Sequence, residues 1–348
     1  MNKVNNNKIT GLSPGRRAWL RFRSNRRGYV SLWIFSILFV LCFFAEVLSN
    51  DKPLVINYDD EYYFPVFKIY PETTFGGDFD TEADYTDGFV RDQLTRDSNW
   101  MIEPPIPYSY NTINFVSDLP NPAPPSGQNY LGTDDRGRDV LARVIYGFRI
   151  SVWFALALMV IGVVIGIAAG AVQGYFSGKT DLIMQRVIEV WSSMPELYLL
   201  IIFASIFQPS IWLLIILLSL FGWMGLSDYV RAEFLRGRNL DYVRSARAMG
   251  LTNFSIMSKH LLPNSLTPVI TFLPFRISGA ILALTSLDFL GLGVPPTTPS
   301  LGELLAQGKE NIEAWWLSLS AFVVLVGTLM LLIFIGEALR EALDTRKV

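Results

Sequence analysis

The chain has 348 residues, 51% hydrophobic and 17% charged, with a net charge of −2 and a mean hydropathy of +0.33. A soluble domain carries roughly 25% charged residues, so this composition excludes an ordinary globular enzyme and points to a membrane protein. One cysteine, Cys42, and one histidine, His260, exclude a disulfide framework, a thiol–histidine dyad and a multi-histidine metal site.

A helix crossing about 30 Å of hydrocarbon needs about 20 mostly apolar residues. The first such run is Tyr29 to Leu48, with one carboxylate, Glu46, near its far end. Ahead of it, residues 1–28 carry eight cations (Lys3, Lys8, Arg16, Arg17, Arg21, Arg23, Arg26 and Arg27) and no acid, which predicts a cytoplasmic N-terminal segment. A cleaved signal peptide is the competing reading, against which stand the length of the apolar run and the lack of a small-x-small site around Glu46 to Ser49.

Residues 49–139 hold 17 acids against six bases and no run long enough to cross, so they read as a periplasmic insertion. A stretch this long without structure is uncommon, and its tyrosines and phenylalanines suit a small packed cap. Asn121 to Asn129 reads as a linker, and a tethered disordered loop is the alternative for the whole segment.

Residues 140–340 form the predicted five-helix core. Its first span, Ile150 to Val172, carries Gly162, Gly166, Gly170 and, just beyond it, Gly174 at four-residue steps. Such a stripe lets another backbone approach closely, and Gly166→Leu is expected to loosen assembly. Leu197 to Phe207 is too short to cross alone but gains length from Leu182 to Glu196, with a kink at Pro195. Asp181, Arg186, Glu189 and Glu196 would then sit near the cytoplasmic end or face a polar cavity. Gln208 to Ser210 is a turn, and Ile211 to Leu226 returns as the fourth span.

The fifth span, Ser265 to Leu292, contains Pro268, Pro274, Arg276 and Asp288. A charge at mid-helix costs about 2.5–3.5 kcal/mol on insertion scales. Arg276 and Asp288 are therefore expected to avoid lipid, as cavity or gating candidates; the competing reading pairs Arg276 with Glu189 or Glu196. Ala314 to Ile335 is the sixth span, opened by the interfacial rings of Trp315 and Trp316, and residues 341–348 form a charged cytoplasmic tail. The pattern reads as an all-α polytopic membrane protein with six spans and gives no reason to expect a sheet.

Between spans four and five, loop 228–263 carries Arg231, Arg236, Arg238, Arg244, Arg247 and Lys259 against Asp228, Glu233 and Asp241, which predicts a cytoplasmic loop. Tyr242, Ala246, Met249 and then Phe254, Met257, Leu261 recur at three- and four-residue spacing, interrupted by Gly250. Two short helices hinged at that glycine fit this pattern.

This loop resembles that of the inner-membrane permease subunits of ATP-binding cassette importers, in the dipeptide, oligopeptide and nickel group. That family has a Glu-Ala-Ala motif, a glycine four positions on, and a later Leu-Pro. The matching positions follow Tyr242: Arg244, Ser245 and Ala246, then Gly250, then Leu262 and Pro263. Arg replaces the Glu, Ser the first Ala, and His260 stands where the pattern favours Ile. Leu131 to Ser151 and Leu287 to Leu305 look like the segments before the second span and after the fifth in peptide permeases. The likeness covers residues 130–340 and, loosely, 16–48. The acidic insertion looks like that of microcin C and oligopeptide importers of the Yej type.

The resemblance implies the type I ABC importer permease fold in a bacterial inner membrane, with both termini cytoplasmic. It also implies a second homologous permease, two ABC ATPase subunits or one fused two-domain ATPase docked on the loop, and a periplasmic peptide-binding protein. ATP and Mg would reside on the ATPase and no cofactor on this chain, which has no Gly-rich phosphate loop with Lys and Ser or Thr. A channel would need a filter or charge ring, and none is evident. An ion-driven secondary transporter is the alternative, resting on Arg276 and Asp288, although no inverted repeat is visible. Cations beside spans set topology, so no nucleic-acid partner is expected.

Overall fold

The computed structural model describes residues 13–96, 98–114 and 119–344. Lys3, Lys8 and the last four residues of the charged tail lie outside them. Helix α1 (Pro14–Ser24) starts with proline in its first turn, where no amide hydrogen is required. Asn25 then caps α2 (Arg26–Phe43), its side chain accepting from the Gly28 amide at 3.2 Å, and α3 (Ala45–Leu48) follows.

The insertion that comes next contains a small sheet. Strands β1 (Val55–Tyr58), β2 (Glu61–Tyr63) and β3 (Trp100–Ile102) pair antiparallel in the order β2-β1-β3, with Ile56 opposite both Tyr63 and Met101. A 3-10 turn (Glu72–Phe75) and α4 (Gly88–Thr95) close over it. Its core is Ile56, Phe75, Tyr85, Val90 and Leu94. Phe75 is surrounded edge-on by Tyr58, Tyr63, Tyr70 and Tyr85, an arrangement favoured by the ring quadrupoles. Strands of three and four residues are too short to show the alternation that marks a strand in sequence, so the expectation of no sheet fails here for lack of signal.

The membrane body, to which α2 already belongs, resumes with α5 (Val140–Phe176), a 37-residue helix that starts ten residues before its apolar run. Asp139 caps it, accepting from the Ala142 amide at 2.7 Å. Helices α6 (Gly178–Ser192) and α7 (Glu196–Ile206) meet at a 65° bend, where Pro195 withholds one backbone hydrogen bond. Helices α8 (Ile211–Gly222) and α9 (Met224–Gly237) run on as one candidate span, apolar in α8 and carrying Asp228, Arg231, Glu233 and Arg236 in α9. Next come α10 (Asp241–Ala248), α11 (Asn253–Ser255) and a π-helical turn (Ile256–Leu261), which feeds directly into α12 (Leu262–Phe289). Helices α13 (Leu301–Glu310) and α14 (Trp315–Leu343) complete the chain. By length and composition five helices are able to cross a membrane, or six if the bent pair counts as one span.

The glycine stripe seats α9 on α5. A Cβ on Gly166 would lie 2.9 Å from the Trp223 carbonyl, one on Gly170 2.8 Å from Val230 Cβ, and one on Gly174 2.5 Å from Phe234 Cβ. Small residues allow this backbone approach, so the stripe works inside the chain. Helix α9 therefore extends to Gly237 on α5, and only residues from Arg238 onward form the connection expected from Asp228.

The bundle has two distinct ends. At the cap end, the insertion meets the start of α5, α13 and the start of α14, around Val140, Leu301, Leu304 and Trp316. At the loop end, α10 and the π-helical turn pack on α5, α9 and α12. The N-terminal helix joins the loop end: Asn25 donates to Glu341 at 2.9 Å and Phe22 packs with Ala338 and Ala342.

Candidate functional site: the hinged loop and the cavity behind it

Helix α10 is two-faced. Val243 and Ala246 are buried with Phe234, Ile256, Leu261 and Val269, whereas Tyr242, Arg244 and Ser245 face outward. Gly250 ends it at φ +80°, where its own amide donates to Arg247 at 3.0 Å and the Leu251 amide to Ala246 at 3.2 Å. This is a Schellman closure, which needs a left-handed residue and favours glycine. Thr252 then caps α11, accepting from the Ser255 amide at 3.3 Å. The turn thrusts out Met249, 74% exposed, and Phe254, 79% exposed.

The remaining loop positions anchor this pair to α12. Tyr242 accepts from Asn264 at 3.4 Å, Leu262 packs against the buried side of the loop, and Pro263 stands in the first turn of α12. Arg244 lies 4.0 Å from Asp241, and both side chains are mostly in solvent. Such a pair contributes little, so the guanidinium remains open to another chain.

Behind the loop, a cavity of about 570 Å³ lies between α5, the bend from α6 to α7, the junction of α8 with α9, and α12. Arg276 is on its wall and Asp288 is not. Arg276 Nη2 donates to the Gly222 carbonyl, the end of α8. Its Nε is buried without a partner, and among the described residues no carboxylate lies within 4.0 Å of it. The competing reading, a pair with Glu189 or Glu196, is not formed; Glu189 pairs with Arg186 instead. Asp181 is taken by Arg231 at 2.5 and 2.7 Å. Gly162, the first of the stripe, leaves room for this arginine, since a Cβ there would lie 2.9 Å from Arg276 Nη2.

Asp288 closes a loop. It is 8% exposed and accepts from the Val294 amide at 2.8 Å and from the Ser300 hydroxyl, folding residues 290–300 back onto α12. Its partners leave its carboxylate committed to that turn.

At the cap end, four ionisable residues absent from the sequence-based set form a buried cluster. Asp134 accepts from Arg138 Nε at 2.7 Å and Nη2 at 2.6 Å and lies 3.5 Å from Arg143 Nε. Glu303 meets Arg138 at 3.3 Å and also Arg143, which is fully buried. Burial pushes the Glu303 carboxyl up, while Arg143 and Arg138 oppose the shift. The cluster ties Leu131 to Ser151 to Leu287 to Leu305. Two acids and two arginines flanking apolar helices were the available signal, since uncompensated charges are rarely buried.

Among the described residues no group of His, Cys, Asp and Glu is placed to hold a metal ion. Comparison with known proteins gives these features their setting. Residues 162–348 match the binding-protein-dependent transport system inner membrane component family, and residues 13–65 the N-terminal TM domain of oligopeptide transport permease C. The chain is 52% identical over 340 residues to the inner membrane ABC transporter permease protein YejE of Escherichia coli (strain K12), covering 97% of this chain and 99% of that one. It is 50% identical over 358 residues to the peptidoglycan transport system permease protein YejE of Agrobacterium fabrum (strain C58), covering 95% and 93%. A chain of the inward-facing MetNI methionine ABC transporter superposes with a TM-score of 0.50, covering 59% of this chain and 97% of that one at 18% identity, a likeness of fold alone. With the fold, the hinged loop and a family match over more than half its length in agreement, the chain belongs to the binding-protein-dependent transport system inner membrane components, the permease subunits of ABC importers.

Proposed function

We propose that this permease forms one half of a path by which oligopeptides or peptide-like compounds cross the bacterial inner membrane, and that it catalyses no reaction itself. A second homologous permease forms the other half. Two ABC ATPase subunits, or one fused two-domain ATPase, bind ATP and Mg and dock on the loop, and a periplasmic binding protein delivers substrate to the cap end. The N-terminal cations and the basic loop support a cytoplasmic loop end with both termini on that side. A relative named for peptidoglycan transport, and a domain named for oligopeptide transport, support the substrate class.

The observation that carries this reading is the two-faced loop. Exposed Tyr242, Met249 and Phe254 offer an apolar docking face, while Val243 and Ala246 share a core with α9 and α12. A push on the exposed face therefore moves two elements that also wall the cavity. Packed rigid elements transmit such displacement. An ion-driven transporter loses one of its two supports, because Asp288 is committed to a loop closure.

Purification of the tagged chain from its native membrane in mild detergent tests the assembly. A second permease and an ATPase are expected to copurify; a chain recovered alone, or as a homo-oligomer, would overturn the reading. In the purified complex Arg244→Glu should weaken ATPase docking by about 1 kcal/mol or more, as for a close interfacial charge contact.

A further inference from the structure

Resting on the peptide reading above, we infer that the cavity is a station for both ends of a peptide zwitterion, with Arg276 receiving the C-terminal carboxylate and Glu196 the α-ammonium. At about 570 Å³ the space falls within the roughly 300–1,000 Å³ of small-ligand sites. Its wall is largely apolar, with Leu158, Leu218 and Ala280, and among the described residues Glu196 and Arg276 are its only ionisable groups. They come from different elements, α7 and α12, and neither is paired with the other.

Each of the two has capacity left for a ligand. Arg276 spends Nη2 on the Gly222 carbonyl, which fixes the guanidinium in place; Nε is sealed from solvent without an acceptor among the described residues, whereas Nη1 is neither sealed nor bonded there and is the nitrogen left for a ligand. An orphaned charged donor against an apolar wall is costly, and a carboxylate is the acceptor whose geometry matches the guanidinium fork. Glu196 begins α7 immediately after the bend; it is exposed, and its side chain has no hydrogen bond or ion pair among the described residues. An unpaired charge in a membrane-spanning segment marks a substrate pathway, and interrupted helices are where transporters place such sites. Every peptide with free ends carries one ammonium and one carboxylate whatever its side chains. Reading the ends therefore lets a largely apolar cavity accept many sequences.

The test uses the complete transporter in proteoliposomes with its binding protein, and compares uptake of one labelled tetrapeptide in free, C-terminally amidated and N-acetylated forms. Each variant is read against wild type with the same peptide, so any preference of the binding protein cancels. Arg276→Gln should slow uptake of the free peptide about tenfold, the scale of one charge-assisted contact, and change uptake of the amide little. Arg276→Lys should keep the preference for the free carboxylate. Glu196→Gln, at a side chain with no partner among the described residues, should slow the free peptide and spare the N-acetyl form, and it carries the test where Arg276→Gln does not assemble. Equal slowing of all forms would assign Arg276 only to holding Gly222 and overturn the inference alone. Wild-type transporter that imports none of the peptides would overturn the peptide reading and the inference together.

Discussion

Gly250 stands at φ +80° with open space where a Cβ would go, so a side chain there meets backbone strain and no collision. Valine in the left-handed region costs about 1–2 kcal/mol, enough to displace the Schellman closure between α10 and α11. Gly250→Val is expected to lower peptide-stimulated ATPase activity of the assembled transporter with membrane level unchanged, whereas Gly250→Asn, which tolerates that region, retains it; full stimulation in the valine variant would remove the hinge from the mechanism. Gly166 presents the opposite case, because a Cβ there lies 2.9 Å from the Trp223 carbonyl and 3.0 Å from Leu226 Cβ. Gly166→Leu should cost about 3 kcal/mol or more by overpacking, seen as a lower unfolding temperature of the chain in detergent. The loss of subunit assembly expected from sequence then becomes a consequence of a weakened fold, since the stripe's partner is α9 of the same chain. The glycine spacing was legible in the sequence and the identity of its partner was not, because a small-residue face specifies closeness without specifying to what.

Among the elements, two segments distant in sequence are joined by charge at the cap end of the membrane body. Arg143 lies fully buried between Asp134, Glu303 and the Tyr110 and Thr298 carbonyls. Removing one member of such a cluster strands its partners, at about 3–5 kcal/mol. Arg143→Ala should therefore lower the unfolding temperature far more than truncation of Arg186, whose pair with Glu189 is exposed and contributes about 0–1 kcal/mol. Comparable effects of the two variants in a thermal-unfolding assay would show that the cluster adds nothing beyond a surface pair. The two stretches it joins were singled out in sequence by family likeness; that they meet across 165 residues, from Arg138 to Glu303, is a property of the fold. Likewise Pro195 announced a break between α6 and α7, but its 65° angle and the cavity it opens depend on how α8 and α12 pack beside it.

For the whole molecule, the insertion and the bundle have separate cores. Ile56, Phe75 and Leu94 form one of their own, and the two chain ends that enter it are already paired, Leu54 to Ile102 at 2.8 Å. A short Gly-Ser turn in place of residues 55–101 is therefore expected to leave the membrane bundle folded, with an unfolding temperature within a few degrees of the full chain. If the shortened chain fails to accumulate in the membrane, the insertion is part of the bundle's folding unit. If it folds but no longer receives substrate from its binding protein, the outer sheet belongs to the delivery surface.

The amino-acid sequence by itself determined the membrane class, the run of apolar helices, the hinge at Gly250 and the break at Pro195, because hydropathy, helical spacing and the conformations of glycine and proline are local properties. Tertiary structure decided which partners the charged residues take. Arg276 meets a helix-end carbonyl and no carboxylate, Asp288 closes a loop away from the cavity, and Asp134, Arg138, Arg143 and Glu303 converge from two distant segments. A charge in a low-dielectric interior is governed by whatever lies within a few ångströms of it, and only the packed chain brings those neighbours together.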